Sequence, residues 1–495
     1  MQHKDCCKGS DAKSGEVRGV MMQVWGRYRE NAWGNDDLLA GGGSASSERG
    51  GWGAFIAEAS STLAVMELWD ELKLCVEHLL ELDFEETGVK RWKDKGNGMD
   101  PGVVSETYLG ALLSLVDMVD AGAIPKKVIR DEERDRLLEQ AVALAKELEK
   151  AYRSPSGLPW PTLDLSHTDK AQAGVVSSSH IARGVMEAIA LRRITNTGVY
   201  SMAARPAFAS LIKEAPSGGA IPNLLPQLWD VNTGKSVRPL SGWDTYYETL
   251  LTSAILSPRE KDDYEHLRWI GAVVALRNRL ASRNQQSEKA LVQHLWVGSY
   301  DGRWYKNEME LSSCSAAGNV LLGASYLGRK TQLPLGRALL EGCMSLWTVT
   351  KSGLPPASIA WLPSQDWKYN VSFAPQSPRQ ERELKDLGFW ITDATFSVAD
   401  AVGVAKSLFI AYRVTGEERY QKQASDMFVA LKKLWTRKGF AKIGDVMGEV
   451  EWVESDSKGV AEVLMYLWLT FKDAERGSLD KWVFSDRGHL FLRGG

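Results

Sequence analysis

Apolar residues recur at three- and four-residue spacing along most of this chain, the period at which side chains share one helical face. The pattern predicts helices over 17–33, one or two over 55–82, and further helices over 104–119, 132–152 and 177–195, with the same theme repeated later. No strand-rich half interrupts it. Residues 1–15 break the pattern and read as a loose tail, leaving 16–495 as a single domain, and the Gly/Ser-rich run 41–51 reads as a flexible loop.

The punctuation between helices repeats. Arg193-Ile-Thr-Asn-Thr-Gly198-Val-Tyr200 parallels Arg413-Val-Thr-Gly416-Glu-Glu-Arg-Tyr420, each a helix end, a turn and a new helix start. Ser156-Gly-Leu-Pro159, Ser352-Gly-Leu-Pro355 and Lys438-Gly-Phe-Ala441 each follow a long helix. Stacked helical hairpins closing into an α/α toroid are the economical outcome. The pocket of such a fold lies on the axis, where the inner helices end.

Composition narrows the function. The 495 residues, 25 % charged and 44 % hydrophobic with 19 Trp, describe a folded protein with much aromatic surface to bury or offer. With 60 basic and 63 acidic residues the net charge is −3, so no nucleic-acid partner is expected. The polar start and the lack of an unbroken apolar span of membrane length lead to the expectation of a cytoplasmic protein without a membrane partner. Five cysteines, Cys6, Cys7, Cys75, Cys314 and Cys343, fit neither a disulfide framework nor a zinc pattern.

The stretch Gly242-Trp243-Asp244-Thr245-Tyr246-Tyr247-Glu248 carries the first candidate chemistry. Asp244 and Glu248 stand four apart, so on a helix both carboxylates share a face beside the aromatic rings. A solvated acidic face satisfies that spacing equally well.

Ordered segments along nearly the whole chain resemble glycoside hydrolase family 47, the calcium-dependent inverting α-1,2-mannosidases. They run from Ala32-Trp-Gly-Asn-Asp-Asp-Leu38 and Gly51-Trp-Gly-Ala54 through Leu109-Gly-Ala-Leu-Leu-Ser114, the 242–251 stretch and Gly318-Asn-Val-Leu-Leu-Gly323. They close with Tyr412-Arg-Val-Thr-Gly416, the 461–471 helix and Trp482-Val-Phe484. The resemblance implies an all-α fold, an (αα)7 barrel with short β-hairpins at one end. It places Asp244, Glu248, Glu187 and Glu462 in the axial pocket, with Trp243 beside them. Cys314 and Cys343 fall where the family forms a disulfide, although a cytoplasmic location would keep them reduced.

Much of the family's hydrolytic pattern is replaced. Counted back from Leu109-Gly110, the general-acid position is Val103, and only a slip in local register would let Glu106 serve instead. The base position is Gly403 and its acidic partner is Lys406. A pocket His becomes Leu311, a Pro-Glu becomes Pro356-Ala357, and the Phe that packs on the sugar becomes Lys458. The family's calcium-binding Asn-Thr-Glu reads Ser485-Asp486-Arg487, where the fixed charge of Arg487 argues against a metal, so no cofactor is expected.

These losses lead to the expectation of a roomier, more apolar pocket. In the first reading, the barrel binds an apolar small molecule, terpenoid- or polyketide-like, and promotes its cyclisation or rearrangement in an intracellular biosynthetic pathway. Asp244, Glu248 and Glu462 then act as acids, and Lys406, Lys458 and Arg487 as counter-charges. The alternatives are a lectin-like protein without catalysis and a residual α-1,2-mannosidase with shifted catalytic groups.

Overall fold

The computed structural model describes all residues except 5, 41–42, 85–97, 164–173, 219, 258–263, 288, 290, 365–366, 449–450 and 495. Among the described residues, fourteen helices make two concentric rings. The outer ring holds α1 (Asp11–Asn31), α3 (Trp69–Glu81), α5 (Asp131–Glu149), α7 (Ser201–Gly218), α9 (Tyr264–Ala275), α11 (Leu333–Ser345) and α13 (Glu418–Leu431). The inner ring holds α2 (Ala54–Val65), α4 (Gly110–Asp120), α6 (Val185–Thr195), α8 (Thr245–Leu256), α10 (Ser315–Tyr326), α12 (Val402–Thr415) and α14 (Val460–Thr470).

Side-chain pattern sorts the helices between rings. Every residue of α2 and of α14 is buried, as expected for a helix apolar on all sides. In α5 only Leu137, Ala141, Leu144, Ala145 and Leu148 are buried, a single stripe facing inward. Each inner helix from α2 to α12 packs on the outer helix that follows it, and α1 packs on α14. Neighbouring inner helices touch in order from α2 to α14, and α14 touches α2, so the ring closes. The core lies between the two rings.

The repeats seen in the sequence fold alike. Thr195 Oγ1 donates to Leu191 O and Thr415 Oγ1 to Ala411 O, both at 2.7 Å. The next residue is left-handed in each, Asn196 at φ 56° and Gly416 at φ 72°, where only a residue tolerant of that region ends a helix without strain. Likewise Ser154 Oγ donates to Leu158 O and Thr350 Oγ1 to Leu354 O, both at 2.6 Å.

Short antiparallel sheets of two or three strands connect the helices, and one of them enters the ring. The hairpin Trp482–Phe484/Leu490–Leu492 touches α8 with its first strand and α4 with its second. Fully buried His489 shares a hydrogen bond with Ser61 of α2 at 2.8 Å, and Leu490 N donates to Ser114 of α4. The hairpin therefore plugs the barrel and carries Asp486 and Arg487 to its axis.

Several local expectations need correction. Residues 1–15 are not a loose tail: α1 starts at Asp11, His3 N donates to Arg413 O, and Ser10 N donates to Phe471 O. Polarity alone hid these backbone contacts. The run 41–51 includes strand Ser44–Ser46, paired with Asp37–Leu39, while 41–42 lie outside the described residues. Cys314 and Cys343 form a disulfide, with Cα atoms 6.0 Å apart, instead of staying reduced. The stretch Pro101–Asp120 is long and apolar enough to cross a membrane, but 94 % of its apolar window is buried inside the barrel.

Candidate active site

The inner helices begin around the axis, and most present a charged residue within their first turns. Glu187 is third in α6, Glu462 third in α14, Glu248 fourth in α8, Glu58 fifth in α2 and Lys406 fifth in α12. Helix N-termini carry partial positive charge and receive carboxylates well. Glu106 precedes α4, in a π-helical turn, Ser105–Leu109. That wide turn alters the helical register along the segment, and within it Glu106 reaches Arg183 and Arg487. Val103, half-buried, lies before it and donates its amide to Asp100.

Two ionic clusters organise the axis. In the first, Lys406 Nζ lies 3.5 Å from Glu248 Oε2 and 3.8 Å from Asp486 Oδ1, joining α12, α8 and the plug hairpin. Burial opposes the ammonium's charge, but Tyr466, Glu248 and Asp486 outweigh it and hold Lys406 protonated. In the second, Glu106 Oε2 stands 3.7 Å from Arg183 Nε and 3.7 Å from Arg487 Nε. Arg49 closes the near side, bonded to Asp37 at 2.6 Å and to Glu58.

Burial sets the protonation of several acids. It pushes Glu462 up to about 8, against the pull of Lys406 and Arg487. Asp486 rises to about 7 for the same reason, with Lys406 pulling it down. Glu187 and Glu106 are also raised by burial. Glu58 goes the other way, because Arg49 and Arg487 outweigh its burial. Asp244 caps α8, accepting from Tyr246 N at 3.0 Å and Ser178 Oγ at 2.6 Å. It is half-buried, and the protein around its carboxyl lifts it to about 6.

The predicted residues divide by place. Glu106, Glu187, Glu248, Lys406, Glu462 and Arg487 meet at the axis, and Asp244 caps the helix that carries Glu248. Trp243 stacks on Tyr247 with centroids 4.7 Å apart. Lys458 is exposed, close enough for Arg487 and Glu58 to act on it electrostatically. Leu311 is core: it is 1 % exposed and starts the turn Leu311–Cys314. Gly403 is a packing position, since a Cβ there would lie 2.9 Å from Ser312 O and 3.1 Å from Ser315 N. Backbone has closed over the place where a catalytic side chain was expected to project.

The axis therefore carries more charge than the apolar pocket expected from the losses alone. The deletions at Val103, Leu311, Ala357 and Gly403 were legible, but Glu58, Arg49 and Arg183 were missed. Glu58 had left a signal, as the one acid in the apolar helix Ala54–Val65; Arg183 had left none.

Calcium, which the family resemblance implies, does not fit these residues. Among the described residues no three His, Cys, Asp or Glu side chains converge as a metal site. The carboxylates nearest the family position, Asp486 and Glu248, already face the Lys406 ammonium, and Arg487 follows Asp486 in the chain.

The two closed rings of seven helices, with acids at the inner helix starts and a hairpin plug, make an (αα)7 toroid. The sequence profile of glycosyl hydrolase family 47 matches residues 20–493, and the chain belongs to that family. It is 26 % identical to a mannosyl-oligosaccharide α-1,2-mannosidase of Penicillium citrinum, over 97 % of this chain and 92 % of that protein. It is 27 % identical to the enzyme of the same name from Coccidioides posadasii, over 98 % and 92 %. The α-1,2-mannosidase structure from Trichoderma reesei superposes with a TM-score of 0.89 at 23 % identity, covering 99 % of this chain and all of that one. Family membership overturns the cytoplasmic expectation, since the family's α-1,2-mannosidases work in the secretory pathway or outside the cell. The Cys314–Cys343 disulfide fits an oxidising compartment of that kind.

Proposed function

We propose that this protein is a calcium-independent hydrolase of α-linked mannosides whose proton transfers run through retained carboxyls rather than through the positions now held by Val103 and Gly403. The observation that carries this reading is the axial set of buried acids with unused oxygens. Glu58 Oε2, Glu187 Oε1 and Glu462 Oε1 have no hydrogen-bond partner among the described residues. A buried acceptor left unpaired costs about 1–3 kcal/mol, so these oxygens call for a polar partner, and a sugar hydroxyl reaching Glu58 or Glu462, each 7 % exposed, would supply one. An apolar terpenoid would leave them unsatisfied, so the cyclisation reading fits this floor poorly.

Inverting hydrolysis needs one carboxyl to protonate the leaving oxygen and another to activate water from the opposite face. Glu462, at about 8, holds its proton at neutral pH and serves as the donor. Asp244, at about 6, is ionised there and half-open, and serves as the acceptor. Glu248, beside Lys406, receives a sugar hydroxyl. Activity is then expected to fall below about pH 6 as Asp244 is protonated, and above about pH 8 as Glu462 ionises.

The test is mannose release from α-1,2-mannobiose by the wild type, Glu462→Gln and Asp244→Asn. Loss of about 10²-fold or more in each variant, with retained thermal stability, supports the assignment. Turnover within threefold of wild type in both would overturn it. Packing at Gly403 favours a second reading, a mannoside-binding barrel without turnover. It would appear as binding of mannobiose with no release at any pH.

A further inference from the structure

The Glu106 cluster is built unlike an ordinary ion pair. Arg183 and Arg487 approach one oxygen, Glu106 Oε2, from two elements, and both stop at 3.7 Å, beyond hydrogen-bond reach. Arg487 makes no hydrogen bond among the described residues, and its side chain is 14 % exposed. Arg183 spends one nitrogen on Asp100, at 3.0 Å, and stays 31 % exposed. Two guanidinium forks thus face a 4 %-exposed carboxylate with most of their donors unused. Lys458, with no side-chain hydrogen bond among the described residues, adds a third cation on the exposed side.

Guanidinium groups in this state suit an oxyanion. A phosphate or carboxylate presents two or three oxygens that a fork binds in parallel, with shorter and stronger bonds than neutral acceptors provide. A neutral sugar would leave Arg487 without a hydrogen bond, 3.7 Å from Glu106 and with Glu58 and Glu462 acting on it only through space, and would leave Arg183 bonded to Asp100 alone. We propose that the axial site prefers an anionic hexoside, a mannose unit bearing a phosphate or carboxylate group, whose oxyanion is received by Arg183 and Arg487. Burial raises Glu106, and its protonation would weaken its competition with the ligand for Arg487. The inference rests on the mannoside reading above and adds the substrate's charge.

The experiment is titration calorimetry of the full chain with methyl α-mannoside, mannose 6-phosphate, methyl α-mannuronate and inorganic phosphate. It is repeated on Arg487→Met and Arg487→Lys, with each variant's fold checked by circular dichroism. At least one anionic sugar is expected to bind tenfold or more tightly than methyl α-mannoside. Whichever does so, phosphate or carboxylate, identifies the source of the oxyanion. The advantage should vanish in Arg487→Met and partly return in Arg487→Lys. Equal affinity for the neutral sugar would overturn the proposal, as would preference surviving in Arg487→Met, or inorganic phosphate binding as tightly as the sugar phosphate. If Arg487→Met does not fold, Arg183→Met takes its place, and an anionic preference that survives there overturns the proposal instead. The two readings fail separately. Mannobiose hydrolysis without anion preference removes only this inference, whereas anion-selective binding without hydrolysis removes only the proposed activity.

Discussion

Lys406 is the residue on which the axial charge depends. Its ammonium holds Glu248 and Asp486 from two sides, and its side chain is only 11 % exposed. Removing one partner of a buried ion pair leaves uncompensated charge, which typically costs about 3–5 kcal/mol. Lys406→Met should therefore lower the unfolding free energy by that order and move the denaturant midpoint down with it, whereas an unchanged midpoint would show the cluster to be well solvated. Glu462 gives a second readout. Its folded pKa of about 8 lies above its ordinary 4.5, so between those values the native state holds a proton that the unfolded chain has released. Stability contributed by this group is full below about 4.5 and falls as pH rises toward about 8. The melting temperature of Glu462→Gln should gain on the wild type across that window.

The residue scale is also where the sequence was hardest to read. Glu248, Glu462 and Lys406 could be placed through the resemblance because each stands in a regular first turn, where counting works. Glu106 stands instead in the π turn Ser105–Leu109, where spacing along a regular helix does not tell which way a side chain faces. Arg183 was invisible, since nothing in the sequence around it marks an arginine brought to the axis by the fold.

Among the elements, the repeated turns were legible because the same small set of residues solves the same problem twice. Thr195 and Thr415 make one bond, at 2.7 Å, and Ser154 and Thr350 another, at 2.6 Å. What composition misjudged was the first segment, whose polar side chains concealed backbone bonds to Arg413 and Phe471. Two changes test the elements around α12. Gly403→Ala sets a Cβ 2.9 Å from Ser312 O, and overpacking of this kind costs about 1–3 kcal/mol. Reducing Cys314–Cys343, which are 29 residues apart, should cost about 2–4 kcal/mol by freeing the unfolded chain. Equal unfolding midpoints with and without reductant would show that the disulfide is not formed in the isolated protein.

At the scale of the whole molecule, the barrel was legible from helical period and ordered motifs together, because ring closure is a property of their number and order. Its chemistry was only partly so. Deleted groups are visible as missing letters, whereas the charges that occupy the axis instead come from elements far apart in sequence: Lys406 on α12, Glu106 before α4, and Asp486 and Arg487 on the plug hairpin. The losses alone led to an apolar pocket and a change of chemistry. The assembled axis supports a sugar site whose central cation is part of the chain. The most direct measurement of that claim is proton NMR of α-1,2-mannobiose incubated with the pure protein at pH 7, in EDTA and in calcium. Mannose release at the same rate in both is the expected result. Release that requires calcium, or no release in either, would contradict it.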